Sequence, residues 1–158
     1  MAEPQFIDAT LLDQVSDAAK ANPRRRRNHN FHTQLAEPCN RMLNALEPDS
    51  YVMPHRHLDP TKDESFVVLR GRFGIVLFDD AGRVTRKAVM AVGGDVLGVT
   101  IPHGVFHSVV ALEPDSVFFE SKAGPYAPLT PDEKAPWAPA EGEPGVAAYF
   151  DQLRRLFA

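Results

Sequence analysis

The sequence predicts a mainly β fold, a single barrel over about residues 30–122 with a helix on either side of it. Three observations carry that prediction. Short segments rich in Val, Ile, Phe and Leu fill this stretch. Turn residues break them at Glu47-Pro48-Asp49-Ser50, Asp59-Pro60, Asp79-Asp80-Ala81-Gly82, Gly93-Gly94-Asp95 and Glu113-Pro114-Asp115-Ser116. Outside the stretch the apolar residues fall at helical spacing instead. Strands separated by turns at this pitch indicate an all-β sandwich or barrel. The chain of 158 residues suits one domain with a real core.

The first element is a helix over about residues 8–21. Asp8 or Thr10 caps it, and Leu11, Leu12, Val15, Ala18 and Ala19 recur on one face. Asn22 and Pro23 end it. Arg24, Arg25, Arg26 and Arg27 follow with no helical pattern, and read as a solvated surface turn. The motif Leu-Glu-Pro-Asp-Ser occurs twice, at 46–50 and 112–116. Pro-Asp is good turn chemistry, and its reuse explains the repeat without an internal duplication. Residues 124–145 are rich in Pro, Ala and Glu, and form an irregular wrap with Pro136 and Trp137 packed on the barrel. A second helix, over about 146–157, carries one apolar stripe of Val146, Tyr149, Phe150, Leu153, Leu156 and Phe157. Both helical stripes must bury against the barrel or a second copy, so a homodimer is expected.

Composition narrows the function classes. The net charge is −4, which argues against bulk attraction to nucleic acid or anionic membranes. No apolar run approaches the roughly 18–20 residues of a membrane span. Asp8, Asp13 and Asp17 interrupt any apolar signal segment. The expected location is the cytoplasm. The only cysteine, Cys39, has no partner for a disulfide and reads as a small buried hydrophobe.

The chemistry concentrates in Tyr51-Val52-Met53-Pro54-His55-Arg56-His57, followed by Glu64 and Gly71. In a strand, residues i and i+2 share a face, so His55 and His57 aim two imidazoles into one cavity. Glu64 opens the next apolar run and places a carboxylate beside them. Asp59 and Asp63 are its nearby competitors. Gly71 permits a tight turn into the following strand. His107 enters a strand after the turn made by Pro102 and Gly104. Three imidazoles and a carboxylate suit one divalent transition metal such as Fe, Zn, Mn or Ni. In a six-coordinate site two positions stay open, whereas a closed four-coordinate zinc would be structural.

His55-Arg56-His57 with Glu64 and Gly71 resembles the first cupin motif, and Pro102-His103-Gly104-Val105-Phe106-His107 resembles the second, PxGxxH. The resemblance implies a cupin (double-stranded β-helix, jelly-roll) barrel with His55, His57, Glu64 and His107 as metal ligands. RRRRNHNFH at 24–32, RMLNALEPDSYVMPHRH at 41–57, FVVLRGRFGIVLFDDAGRV at 66–84, KAGPYAPL at 122–129 and APWAPAEGEP at 135–144 are similar to the WbuC family of cupin-fold metalloproteins. Members of that family are often encoded among bacterial surface-polysaccharide genes, which implies a sugar or sugar-nucleotide ligand. Two features depart from the generic pattern. Six residues separate His57 from Glu64, and no glycine stands just before Ile101-Pro102.

Further residues compete for the cavity. Asn30 and His32 sit two apart before the barrel. They point into its mouth, as the resemblance supports, or satisfy backbone groups. Arg41 enters an apolar strand and needs either a substrate or a glutamate partner. Glu120 and Lys122 end the last barrel strand and are expected to face the site. Tyr126 and His32 are the candidates for proton transfer, with packing the alternative for Tyr126. One or two of Arg24–Arg27 could also fold over the cavity to attract a carboxylate or phosphate.

Two classes of function follow. One is a metal-dependent enzyme on a small polar molecule: an isomerase, epimerase, lyase or dioxygenase. The other is a metal-dependent sugar-binding or regulatory module without turnover. A metal-free structural dimer is the third and least supported reading.

Overall fold

The computed structural model describes residues 3–158. Helix α1, Ala9–Ala21, starts where the Asp8 carboxylate accepts the Leu11 N–H at 2.9 Å and stops at Asn22. Eight strands follow: β1 Arg26–Asn30, β2 Cys39–Leu46, β3 Glu64–Arg70, β4 Arg72–Phe78, β5 Val84–Ala91, β6 Gly98–Ile101, β7 Phe106–Ala111 and β8 Ser116–Ala123. Helix α2, Val146–Arg155, ends the fold.

The strands form two antiparallel sheets, ordered β1-β2-β8-β3-β6 and β5-β4-β7. Together they make the jelly-roll that the cupin resemblance implies. Phe66, Phe73, Met90, Ile101 and Phe118 fill the space between them. The segment before β3 extends the smaller sheet: His55 donates its N–H to His107 O at 3.1 Å, and His107 returns one to His55 O at 2.9 Å. Gly71, between β3 and β4, has φ +73°, and a Cβ there would collide with Ser116. Only glycine takes that turn cheaply.

Both helical stripes are used within the chain. Val15 and Ala19 of α1 pack on Leu43, Ala45 and Val117, on the outer face of the larger sheet. Phe150 and Leu153 of α2 pack on Tyr51, Val76, Phe78 and Phe106. The stripes therefore supply no argument for a second copy.

Three further expectations are corrected. The sheet begins at Arg26 rather than about residue 30, because Arg26–Asn30 pairs along the edge of β2 in spite of its polarity. Cys39 is exposed, since it starts β2 with its side chain away from the core. Pro136 is exposed as well. Its neighbours do the packing: Ala135 is buried, and Trp137 lies 4.9 Å from the Phe78 ring and 5.8 Å from the Phe106 ring. No helix among the described residues is long and apolar enough to cross a membrane.

Candidate metal centre and its cavity

The strand period decides which side chains meet. Glu64 is the first residue of β3 and is paired in register with Lys122 of β8, itself opposite Asn40 of β2. One row across the sheet thus carries Asn40, Lys122 and Glu64 on the inward face. The next inward row carries Asn30, Met42, Glu120 and Phe66. The opposite wall supplies His107 from β7, with His55 bridged to it.

Each of His55, His57, Glu64 and His107 offers one ligand atom, and these atoms all lie within 4.8 Å of one another. Glu64 Oε1 is 2.6 Å from His107 Nε2 and 3.4 Å from His57 Nε2. Glu64 Oε1 and His107 Nε2 are nevertheless buried without a well-formed hydrogen bond. Such orphaned buried atoms are costly and call for an ion to satisfy them. The Nδ1 atoms of His55 and His107 each lie 2.9 Å from the carbonyl of the residue two positions earlier, Met53 and Val105. An Nδ1–H donating there fixes the tautomer and leaves Nε2 as the metal-binding atom. The donor set fits a divalent transition ion.

Charge balance supports this. Burial pushes His55 down to about 3, so its ring is neutral. Burial also works against a charged His107, but the adjacent Glu64 carboxylate outweighs it and raises the pKa. Burial would raise Glu64, and His107, His57 and Lys122 together hold it well below the usual carboxylate range. Glu64 thus favours positive charge at this point, which a metal held there would supply. The nearby acids are engaged elsewhere. Asp63 accepts from the His103 backbone and ring, each at 2.8 Å, and Asp59 caps Thr61.

The centre opens into a cavity of about 370 Å³. This lies in the range typical of small-molecule sites. Asn30, His32, Glu120, Lys122 and Tyr126 all line it. Lys122 Nζ is 3.2 Å from Glu120 Oε1, 3.8 Å from Glu64 Oε2 and 3.5 Å from His57 Nε2. Asn44 donates to Glu120 Oε2 at 2.7 Å. Burial pushes the Glu120 carboxyl up to about 7, Lys122 opposing and Glu64 adding to the rise. His32 Nδ1 lies 3.2 Å from both the N–H and the carbonyl of Arg41, which ties the ring to the β2 backbone. Tyr126 is 54% exposed and stands at the mouth.

Arg41 is the exception. It is odd-numbered on β2, whereas Asn40, Met42 and Asn44 face the cavity. Alternation turns Arg41 to the outer face, where it lies 3.7 Å from Glu37. The substrate-binding expectation for Arg41 is therefore replaced by an exposed ion pair. Arg41→Gln is expected to leave metal content and ligand affinity unchanged, and to cost no more than about 1 kcal/mol in urea unfolding.

Several polar groups near the site were not foreseen, Asn28 of β1 among them. Asn40 and Asn44 lie on the inward face of β2, and the alternation NRMLN at 40–44 carries that information once the inward side is known. Glu133 Oε2 comes within 4.0 Å of His57 Nδ1 and accepts the Leu58 N–H at 3.0 Å. It sits in a short 3-10 turn, Pro131–Glu133, capped by Thr130. The Thr-Pro-Asp-Glu pattern is a capping-box signature that could have marked it.

Two facing antiparallel sheets around a cluster of three histidines and one carboxylate that could hold a metal define a cupin fold. Pro-11S globulin of pumpkin superposes with a TM-score of 0.52 at 19% identity, over 68% of this chain and 28% of that one. A conserved protein of unknown function from Streptococcus pyogenes gives 0.52 at 11% identity, over 80% and 93%. KdgF from Halomonas sp. gives 0.48 at 20% identity, over 65% and 80%. No curated protein matches the chain. Residues 7–90 match the family described as Domain of unknown function (DUF6016), and the chain belongs to that family.

Proposed function

We propose that this protein is a metal-dependent cupin enzyme acting on a carbohydrate or carbohydrate derivative, as its resemblance to the WbuC family implies. The observation that carries the proposal is the convergence of four ligand atoms, two of them buried and unsatisfied, at the floor of an open cavity. His55, His57, Glu64 and His107 would hold Fe, Zn, Mn or Ni. A metal held there supplies Lewis-acid polarisation of a ligand oxygen, or dioxygen activation in the case of iron. The remaining roles belong to the chain. Lys122 fixes Glu64 and Glu120 in place. Glu120 is poised to hold or release a proton near neutral pH. His32 and Tyr126 offer a donor at the mouth, and the amides of Asn28, Asn30, Asn40 and Asn44 suit hydroxyl groups.

A binding module without turnover is the second reading. It is favoured by the engagement of the polar groups nearest the cavity, Glu120 with Asn44 and Lys122, and His32 with the Arg41 backbone. Association of two copies and a cytoplasmic location complete the proposal. The dimer rests on the open edges of β1 and β6. Light scattering at the mass of one chain would remove it.

The test is elemental analysis of protein purified without added metal or a nickel column, beside a His55→Ala/His107→Ala variant. About one equivalent of a transition metal, lost in the variant, is the expected result. Sugars incubated with the loaded protein are then followed by NMR. New resonances support the enzyme, and binding without product supports the module. No metal bound before or after titration defeats both.

A further inference from the structure

The cavity does not end at the metal. Four of its lining residues, Arg26, Asn28, Asn44 and Leu46, also line an adjoining recess of about 200 Å³. Arg24 and Arg27 complete the charged part of that recess. Arg24 grips the Glu141 carboxylate in a fork, Nε to Oε2 at 2.8 Å and Nη2 to Oε1 at 2.7 Å. Arg26 reaches the same carboxylate with Nη2 and donates from Nη1 to Tyr51 O at 2.9 Å. Two guanidiniums thus share one carboxylate. Arg27 makes no ion pair among the described residues, and Arg25 is occupied by Asp49 at 3.0 Å. Three arginines line the recess, and two of them share the Glu141 carboxylate. A planar fork shared by two arginines is also the arrangement that best receives phosphate oxygens.

The distance to the metal centre is bounded. The Arg26 guanidinium is anchored at Tyr51, four residues before His55. A chain of four residues spans at most roughly 14 Å. Between the two ends lie the asparagines of β1 and β2. Asn28, Asn30, Asn40 and Asn44 all line the cavity, and their amides offer donors and acceptors to hydroxyl groups along this wall.

Resting on the carbohydrate reading above, we infer that the ligand is a phosphorylated carbohydrate. Its hydroxyl-bearing part lies along the asparagine wall toward the metal, and its phosphate binds Arg24 and Arg26 after displacing Glu141. Glu141 is then a built-in plug that occupies the anion site until a more highly charged group arrives. A phosphate ester of one or two sugar units, or a nucleoside diphosphate sugar, has the required length.

The test is calorimetric titration of the metal-loaded protein with inorganic pyrophosphate, glucose 6-phosphate, glucuronate and glucose, with the arginine Nε–H signals followed by NMR. Glucose 6-phosphate and pyrophosphate are expected to shift the Arg24 and Arg26 signals, and Glu141→Gln is expected to tighten both at least about fivefold. Arg24→Gln, at an exposed position, is expected to weaken both about tenfold while its melting temperature is kept. Arg26→Gln should do the same if it folds, but the conclusion rests on Arg24→Gln and Glu141→Gln alone. Removing the metal with EDTA is expected to leave pyrophosphate binding intact. Loss of metal binding in the wild-type protein would thus sink the enzyme reading without touching the recess. Preference for glucuronate over both phosphates would overturn the phosphate assignment. No tightening in Glu141→Gln and unmoved arginine signals would overturn the site itself.

Discussion

Metal-loaded protein is expected to melt about 8–16 °C above the metal-free form when free metal stands at about a thousand times its Kd, and His107→Ala is expected to erase that difference. A ligand that binds only the folded state at this excess stabilises it by about 4.1 kcal/mol. For a chain of this size each kcal/mol moves the midpoint by about 2–4 °C. The site exists only in the fold, because His55 and His107 come together through a bridge between separate segments and Glu64 comes from another sheet. His107→Ala removes a ligand whose ring is 2% exposed and directly faces Glu64. Water cannot readily replace it in so closed a position. The metal equilibrium carries a proton as well. His55 is neutral by burial, whereas Glu64 favours the protonated form of His107, with which a metal would compete. Binding is therefore expected to release a proton and to weaken as pH falls. Scanning calorimetry with and without metal, and titration in buffers of different ionisation enthalpy, check both parts. An equal metal-induced shift in wild type and His107→Ala would place the ion elsewhere.

The clustering of these four side chains was legible in the sequence because it depends on local rules. His55 and His57 share a face by strand period, and Pro102 and Gly104 mark the turn that delivers His107. Glu64 was legible in spite of its longer spacing from His57, because it opens an apolar strand. The extra residues are absorbed by an Asp59-centred turn, in which Thr61 N–H donates to Asp59 at 2.9 Å. What the sequence hid was the facing of polar strands. β1, Arg-Arg-Asn-His-Asn, has no apolar alternation to reveal its inward side. Its strand character comes from pairing with β2, a tertiary fact. Arg41 was misplaced for a related reason. Its charge on an apolar strand signalled a partner, but only the register with β8 tells whether that partner lies in the cavity. Cys39 fell on the exposed side by the same alternation.

Lys122→Met is expected to destabilise the metal-free protein by about 3–5 kcal/mol at alkaline pH, and by much less near pH 5. Lys122 is the cation that two buried carboxylates share, 3.2 Å from Glu120 and 3.8 Å from Glu64. The pH dependence follows from Glu120. Burial holds its folded pKa at about 7, above the ordinary 4.5. The folded state therefore keeps a proton that the unfolded state has already lost, and stability falls as pH rises between these values. A shift of this size corresponds to about 3 kcal/mol. Lys122 limits the loss by stabilising the ionised form. Without it the folded pKa climbs further, and the decline continues to higher pH. Near pH 5, Glu120 is protonated in both the wild-type and Lys122→Met folds, so the variant loses mainly its packing and its contact with Glu64. Glu120→Gln removes the titrating group and is expected to rescue most of the alkaline deficit in the double variant. The two single changes should then be strongly non-additive. Urea unfolding in EDTA at about pH 5 and about pH 8.5, on the four proteins of this cycle, decides the matter. A deficit that is independent of pH, or that Glu120→Gln fails to relieve, would show that Lys122 acts through Glu64 alone. Its role would then be confined to holding the metal ligand, and Glu120 would lose its standing as the proton carrier of the cavity.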